Sequence, residues 1–266
     1  MKNLLTLLFT ILSLCIKSQT HKLNYKVILS PDNYTVDLIS DESYSISIVH
    51  YDIGNFTAYP DNFYLKISKS DSIPLHNGDF IYFTDNKNKI IYSDNFILKK
   101  GGRYWVEETI PQISWINETT DSTVVKGEFM GRKYQVRYDE SIKNIGGPLK
   151  FQNLPGLITE IKSYEPEYIS LSLEKIDIIV VDWDNIIQQL KTIKPETTPI
   201  SVYRKMLEED LTKKINFLKS LKTTEDLMNN RRNIPIKLTT LENSYYESYN
   251  NSWDLEMERI MGMANN

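Results

Sequence analysis

His21, His50 and His76 are the three histidines of the chain, and no two of them stand at a spacing that would let them share a metal ion. His50 and His76 are the candidates for a Ser–His–acid triad, His50 with Asp52 close by. The Gly-x-Ser-x-Gly elbow that presents such a serine is missing. Carboxylates are paired at Glu107-Glu108, Asp139-Glu140 and Asp182-Trp183-Asp184. Adjacent residues of a strand point to opposite faces, so the first two pairs cannot act together if extended. Asp182 and Asp184 can share a face, with Trp183 as a platform for a sugar, which is the one glycosidase-like arrangement. A cap between strand and helix explains those residues better. Cys15 is the only cysteine. The sequence therefore names no catalytic residue, no metal ligand set and no cofactor.

The elements that would position any such chemistry begin with an address. Met1-Lys2 is a short basic start, Leu4 to Ile16 is uncharged and apolar, and Ser18 is a small residue suited to the position before cleavage. Residues 1–18 are expected to be a signal peptide. Its loss removes Cys15, and no later run is long and apolar enough to span a membrane. The net charge of −4 gives no electrostatic case for nucleic acid.

From Leu23 to about Ile179 short alternating runs are separated by turn residues. Tyr25, Val27 and Leu29 form one run, Tyr44, Ile46 and Ile48 another, and Phe63, Leu65 and Ile67 a third. Phe80 to Phe83 and Ile90 to Tyr92 flank Asp85-Asn86-Lys87-Asn88, a hairpin signal. Tyr134, Val136 and Tyr138 share a face. Residues 19–182 are expected to be a mainly β (α+β) domain, a curved antiparallel sheet or partly open barrel. Residues 183–266 are expected to be a helical C-terminal extension packed on it. Asp182 or Asp184 caps its first helix, and Thr198-Pro199 reads as N-cap and first residue of the next. That helix carries the stripe Tyr203, Leu207, Leu211, Ile215 and Leu218. A last stripe starts at Leu238, Leu241, Tyr245 and Tyr249 and fades near Trp253 to Met261.

The most distinctive stretch lies between Gly131 and Ile161. It reads Gly131-Arg132, then Gly147-Pro148-Leu149-Lys150-Phe151, then Asn153-Leu154-Pro155-Gly156-Leu157-Ile158. This ordered set resembles the GLPGLI family of exported Bacteroidetes proteins, with Asn153 where the name-giving hexapeptide has its first Gly. Trp115 and Glu118-Thr119 resemble the Trp and Glu-Thr that open the family's core region. Family members carry a Cys-containing stretch between these points; Thr123 to Phe129 has none, so no function of that thiol carries over. The resemblance implies an exported protein and no particular reaction. Two further matches, Asp71-Ser72-Ile73 and Asp121-Ser122-Thr123, resemble acceptor sites for O-linked glycans in exported Bacteroidetes proteins, at Ser72 and Ser122.

Read without the family, Pro155-Gly156 suits the central positions of a type II turn, with Gly156 at φ > 0 and Leu154, Leu157 and Ile158 as flanking apolar bulk. The expectation is a buried hairpin corner that locks register, and the rival is the rim of a ligand groove. Arg132 is expected to pair with a structural carboxylate such as Glu140. Functionally the sequence points to a non-catalytic module of the cell envelope, periplasmic, outer-membrane-associated or secreted, whose partner is an envelope protein or a lipid-like ligand. The alternative is a secreted or periplasmic hydrolase of polysaccharide or peptide using Asp182 and Asp184. A dry apolar groove favours the first; converging carboxylates or a His–acid pair in a cleft favour the second. Export is tested by N-terminal sequencing of the protein from the envelope fraction: the mature chain is expected to start at or near Gln19, and an intact Met1 overturns it.

Overall fold

Alternation in short runs, broken every few residues by Asp, Asn, Ser and Gly, leaves the chain few ways to bury its apolar residues other than a sheet. In the computed structural model the described residues are 19–29, 32–50, 63–76, 79–97, 102–117, 121–129, 131–143, 145–163, 168–194, 196–230 and 247–264. The expected leader, Asp52, Glu118-Thr119, Leu238, Leu241 and Tyr245 lie outside them. The strands are β1 (Thr20–Leu29), β2 (Asp32–Ser40), β3 (Tyr44–His50), β4 (Phe63–Lys66), β5 (Ser72–Leu75), β6 (Phe80–Asp85), β7 (Ile90–Ile97), β8 (Gly102–Thr109), β9 (Val124–Phe129), β10 (Arg132–Asp139), β11 (Leu157–Ser163), β12 (Ile169–Ile179) and β13 (Thr198–Pro199). Eleven form one sheet in the order β13-β8-β7-β6-β3-β2-β1-β12-β11-β10-β9, and β4 and β5 pair as a separate hairpin. All pairs are antiparallel except β13 with β8, and the large sheet is not closed.

The sheet curls. Its register shifts between Asn24 and Tyr25 of β1, which face Lys175 and Leu173 and so leave Glu174 of β12 as the extra residue. A second shift, between Arg137 and Tyr138, leaves Thr159 of β11 extra. Such bulges bend a strand and increase its twist. After β8 the chain crosses to the far end of the sheet, where Ile116 bridges Lys126 of β9. The hollow side holds one core, with Leu23, Tyr25, Val36, Leu38, Val136, Ile161 and Leu171 fully buried. The outer side holds another, where Ile39, Ile46, Ile48, Ile81 and Trp105 meet Leu65, Ile73 and Leu75 of the small hairpin.

Helix α1 (Trp183–Ile193) closes this outer core with Ile186 and Leu190. Asp182 is its N-cap, accepting from the Asn185 N–H at 3.1 Å, as the capping expectation required. The Gln189 side chain accepts from the Lys66 N–H and donates to the Lys66 carbonyl, both at 2.9 Å, and so docks the helix on the edge of β4. Helix α2 (Ile200–Ser220) buries the whole expected stripe from Tyr203 to Leu218 around Val106 of β8. It starts one residue later than expected. Thr198-Pro199 is held alongside Val106 and Glu107 as β13, which leaves Pro199 as the N-cap, a residue with no side-chain acceptor to cap with. Among the described residues two helices follow, α3 (Thr224–Asn230) and α4 (Glu247–Ala264). The last stripe therefore does not fade at Trp253: α4 continues to Ala264, with Tyr249 and Ile260 buried against α2. Its Arg259 donates to the carbonyls of Leu218 and Leu221 at 2.9 and 3.0 Å, capping the end of α2.

Candidate functional site

Residues 140–156 connect β10 to β11, and residues 146–152 of that connection fold back into the hollow of the sheet. Gly147, Pro148, Leu149, Lys150, Phe151 and Gln152 are all buried. Phe151 packs edge-on against Tyr134 of β10, with centroids 4.9 Å apart, and against Phe129 of β9 at 5.7 Å. Lys150, two residues of loop away from solvent, forms a buried ion pair with Glu108 of β8. One loop thus ties β8 to β9 and β10, strands from opposite ends of the sheet.

The buried backbone of this loop is satisfied largely by side chains. The N–H of Gly146 donates to Ser40 Oγ at 2.8 Å, and that of Leu149 to Ser47 Oγ at 2.9 Å. The Gln152 amide accepts from the Gly147 N–H and donates to the Gly147 carbonyl, at 3.1 and 3.0 Å. Trp115 Nε1 donates to the Gln152 carbonyl at 3.2 Å, and its ring lies on Gly127, where a Cβ would come within 2.6 Å of it. A Cβ on Gly147 would lie 1.7 Å from the Phe151 carbonyl oxygen. Leu149 and Asn153 take left-handed backbone, with φ of 57° and 68°.

Three expectations need correction. Gly156 does not have φ > 0; among the described glycines only Gly131, at the turn between β9 and β10, does, with φ 71°. Gly156 is required for space, since a Cβ there would lie 2.2 Å from the Asp139 carbonyl oxygen. Pro155-Gly156 is consequently not the centre of a two-residue turn but the end of the long β10–β11 connection, where Asp139 pairs with Leu157. Leu157 and Ile158 are buried as expected, Leu154 half-buried, and Tyr25 donates to the Ile158 carbonyl at 2.7 Å. The Arg132–Glu140 pair does not form. Arg132 is 1% exposed at the start of β10 and Glu140 lies exposed just past its end, about 25 Å away along an extended strand.

Beside the loop an open cleft of about 380 Å³ is lined by Glu42, Asn86, Lys89, Ile110, Ile145, Gly146, Gln152 and Asn153. It is the one part of the 145–153 segment that faces solvent, chiefly through Asn153. On the hollow face the loop itself contributes buried apolar residues, Leu149 and Phe151, to the core. Ser72 and Ser122 are both exposed, on β5 and in the turn before β9.

A second cluster was not visible in the sequence. His50 Nδ1 lies 3.0 Å from Asp79 Oδ2, and its Nε2 lies 3.6 Å from Asp37 Oδ2. Asp37 also accepts from Asn24, and Asp79 from the His76 N–H at 2.8 Å. Burial alone would lower the imidazole pKa, but the hydrogen bonds and charges of Asp37 and Asp79 outweigh it and raise it to about 9. Burial of Asp37 is likewise outweighed by His50 and Asn24, and its carboxyl sits below the ordinary value. At neutral pH His50 is an imidazolium with both nitrogens engaged, the wrong state for the general base of a hydrolase. Asp79 is buried, and among the described residues these groups are not part of a group that could hold a metal ion.

No protein-family model matches the chain, and no curated protein sequence does. Among solved structures the chain is similar to PNGF-II, seen in two crystal forms, at 13% and 12% identity and TM-scores of 0.43 and 0.44. The match covers 73% of this chain in both cases and 33% and 34% of those chains, so this chain spans about a third of their length. A likeness at that level carries no argument about activity.

Two outcomes follow from the geometry. Because the obstacle at Gly156 is a carbonyl and not φ, Gly156→Asn and Gly156→Ala are expected to destabilise alike, by about 1–3 kcal/mol in urea unfolding. A much milder Asn would return the left-handed turn. The His50 cluster gives a pH signature. The folded-state pKa of His50 lies above its unfolded value of 6.5, so its contribution is complete below about 6.5 and is lost as pH rises through about 9. That of Asp37 is present above 3.8 and is lost as pH falls through its depressed value. The stability gap between wild type and His50→Asn is therefore expected to be widest between those limits and to shrink toward alkaline pH. A gap constant from pH 5 to pH 10 would show that the cluster is not ionised as described.

Proposed function

We propose that the protein is an exported, non-catalytic module of the cell envelope that holds a protein partner at the polar cleft beside residues 145–153. The observation that carries this is the placement of the loop. Its apolar residues pack into the hollow where a lipid-like ligand would sit, and its exposed Asn153 faces the cleft. Of the two partners the sequence allowed, a protein therefore has the better support. The cleft mixes a carboxylate, an ammonium and amides, groups that suit the backbone and polar side chains of a peptide segment. Asp182 is engaged in capping α1, which weakens the hydrolase alternative that relied on it.

The resemblance of residues 131–158 to the GLPGLI family, read as membership of it, supports export in the same proposal. Asn153 has φ 68°, a conformation open to Gly and tolerated by Asn, as expected if it replaces the family's first Gly. Gly147, Phe151, Leu157 and Ile158 of the motif all serve the interior. The signal-peptide-like sequence of residues 1–18 supports export to the periplasm, the outer membrane or the medium, and no described helix is long and apolar enough to cross a membrane. Ser72 and Ser122, both exposed, are proposed as sites of O-linked glycan.

The test is a photo-crosslinking residue placed at Glu42, inside the cleft, or at Tyr64, which is exposed elsewhere. In intact cells the Glu42 position is expected to give a discrete protein adduct that the Tyr64 position does not. No adduct from Glu42, or the same adducts from both, would sink the partner reading. Hydrolysis of envelope glycan or peptide by the purified protein, lost in an Asp182→Asn, Asp184→Asn variant that still folds, would replace it.

A further inference from the structure

Strand β12 outruns its neighbour. β11 pairs with it only from Ser163–Ile169 to Glu160–Ser172, whereas β1 follows it to Ile179. Past Glu160 the bulge at Thr159 turns β11 away, and the Ile158 carbonyl takes its hydrogen bond from Tyr25. From Leu173 onward no described strand pairs with the outer edge of β12. Along that edge Ile176, Ile178 and Val180 share one face and are 39%, 65% and 83% exposed. Lys175 and Asp177 share the other, exposed and paired with each other at 2.6 Å. An unpaired edge carrying β-branched apolar residues is a template for another strand.

We propose that this edge pairs with the same edge of a second copy of the chain, antiparallel about a two-fold axis through Ile176. Charge complementarity selects that occupant and that register. Opposed residues of an antiparallel pair share a face, so a two-fold register must be centred on a residue and can shift only from one residue to the next. Centring on Ile176 sets Lys175 of each copy opposite Asp177 of the other and Ile176 opposite itself. Centring on Lys175 sets lysine against lysine and centring on Asp177 sets aspartate against aspartate, both unfavourable, while centring on Ile178 sets Lys175 and Asp177 opposite apolar residues and leaves them without a charged partner across the edge. The pairing is short, so a weak dimer in the micromolar range is expected.

Sedimentation velocity on the purified full chain, from low to high micromolar concentration, tests this. Wild type is expected to dimerise with rising concentration. Asp177→Lys alone and Lys175→Asp alone are each expected to raise the dissociation constant about tenfold. An equal mixture of the two variants is expected to restore dimerisation, because each then presents the charge that the other lacks. Both side chains are exposed, so thermal melts of the variants should match wild type, which separates lost pairing from lost folding. A wild type that stays monomeric overturns the proposal. So does a dimer untouched by either substitution, or a mixture that fails to re-form it. A monomer that instead binds an Ile/Val-alternating peptide at this edge assigns it to a foreign strand and overturns the second copy as occupant.

Discussion

A lysine buried to 2% exposure is tolerable only with a carboxylate beside it, and the pairing of Lys150 with Glu108 is the constraint around which the rest of this sheet is arranged. Glu108 lies on β8, near one end of the sheet, and Lys150 rides on a loop leaving β10, near the other. The two meet only if eleven strands curl until those ends share one interior. Breaking one member of such a pair leaves a lone buried charge, a loss of roughly 3–5 kcal/mol. The pair thus acts as a registration device for the curl, whatever its net worth against an apolar substitute. The extra residues at Thr159 and Glu174 supply the bending that brings the ends within reach.

Burying a loop raises a second demand, since its N–H and C=O groups leave water with no ladder to join. The sheet answers with Ser40 and Ser47, and the loop with its own Gln152. This explains a feature that strand periodicity misassigns. Ser45 and Ser47 alternate with Ile46 and Ile48 as a solvated face would, yet both serines are 2% exposed. They line the hollow and meet the loop. Alternation correctly identified β3 as a strand, but it could not tell a face turned to water from one turned to another piece of polar backbone.

The parts of the fold that were legible in the sequence are those fixed by neighbours along the chain. The hairpin around Asp85-Asn86-Lys87-Asn88, the stripe of α2 and the Asp182 cap each depend on residues within a few positions of one another. Helix α4 was legible only in part, because Asn250, Asn251 and Ser252 dilute its stripe and its buried residues are fixed by contact with α2. The His50 cluster was illegible for a stronger reason. Its partners Asp37 and Asp79 come from β2 and from the segment leading into β6, and no local pattern distinguishes them from other strand-end aspartates.

The motif itself was legible as a pattern and misread in mechanism. Its glycines looked like turn residues, but Gly147 and Gly156 are set by carbonyl oxygens of Phe151 and Asp139 pressed against them. Left-handed backbone falls instead on Leu149 and Asn153, the first an unfavoured residue for it and held there by burial and its bond to Ser47. The buried residue types in this stretch therefore answer to neighbours inside the protein: Phe151 to two rings, Lys150 to a carboxylate, Gly147 and Gly156 to backbone. A sequence so fully determined by its own interior leaves little freedom to encode a ligand. The recognition proposed above falls accordingly to residues that the interior does not dictate, such as Glu42, Asn86 and the exposed edge of β12, which are the positions a motif search passes over.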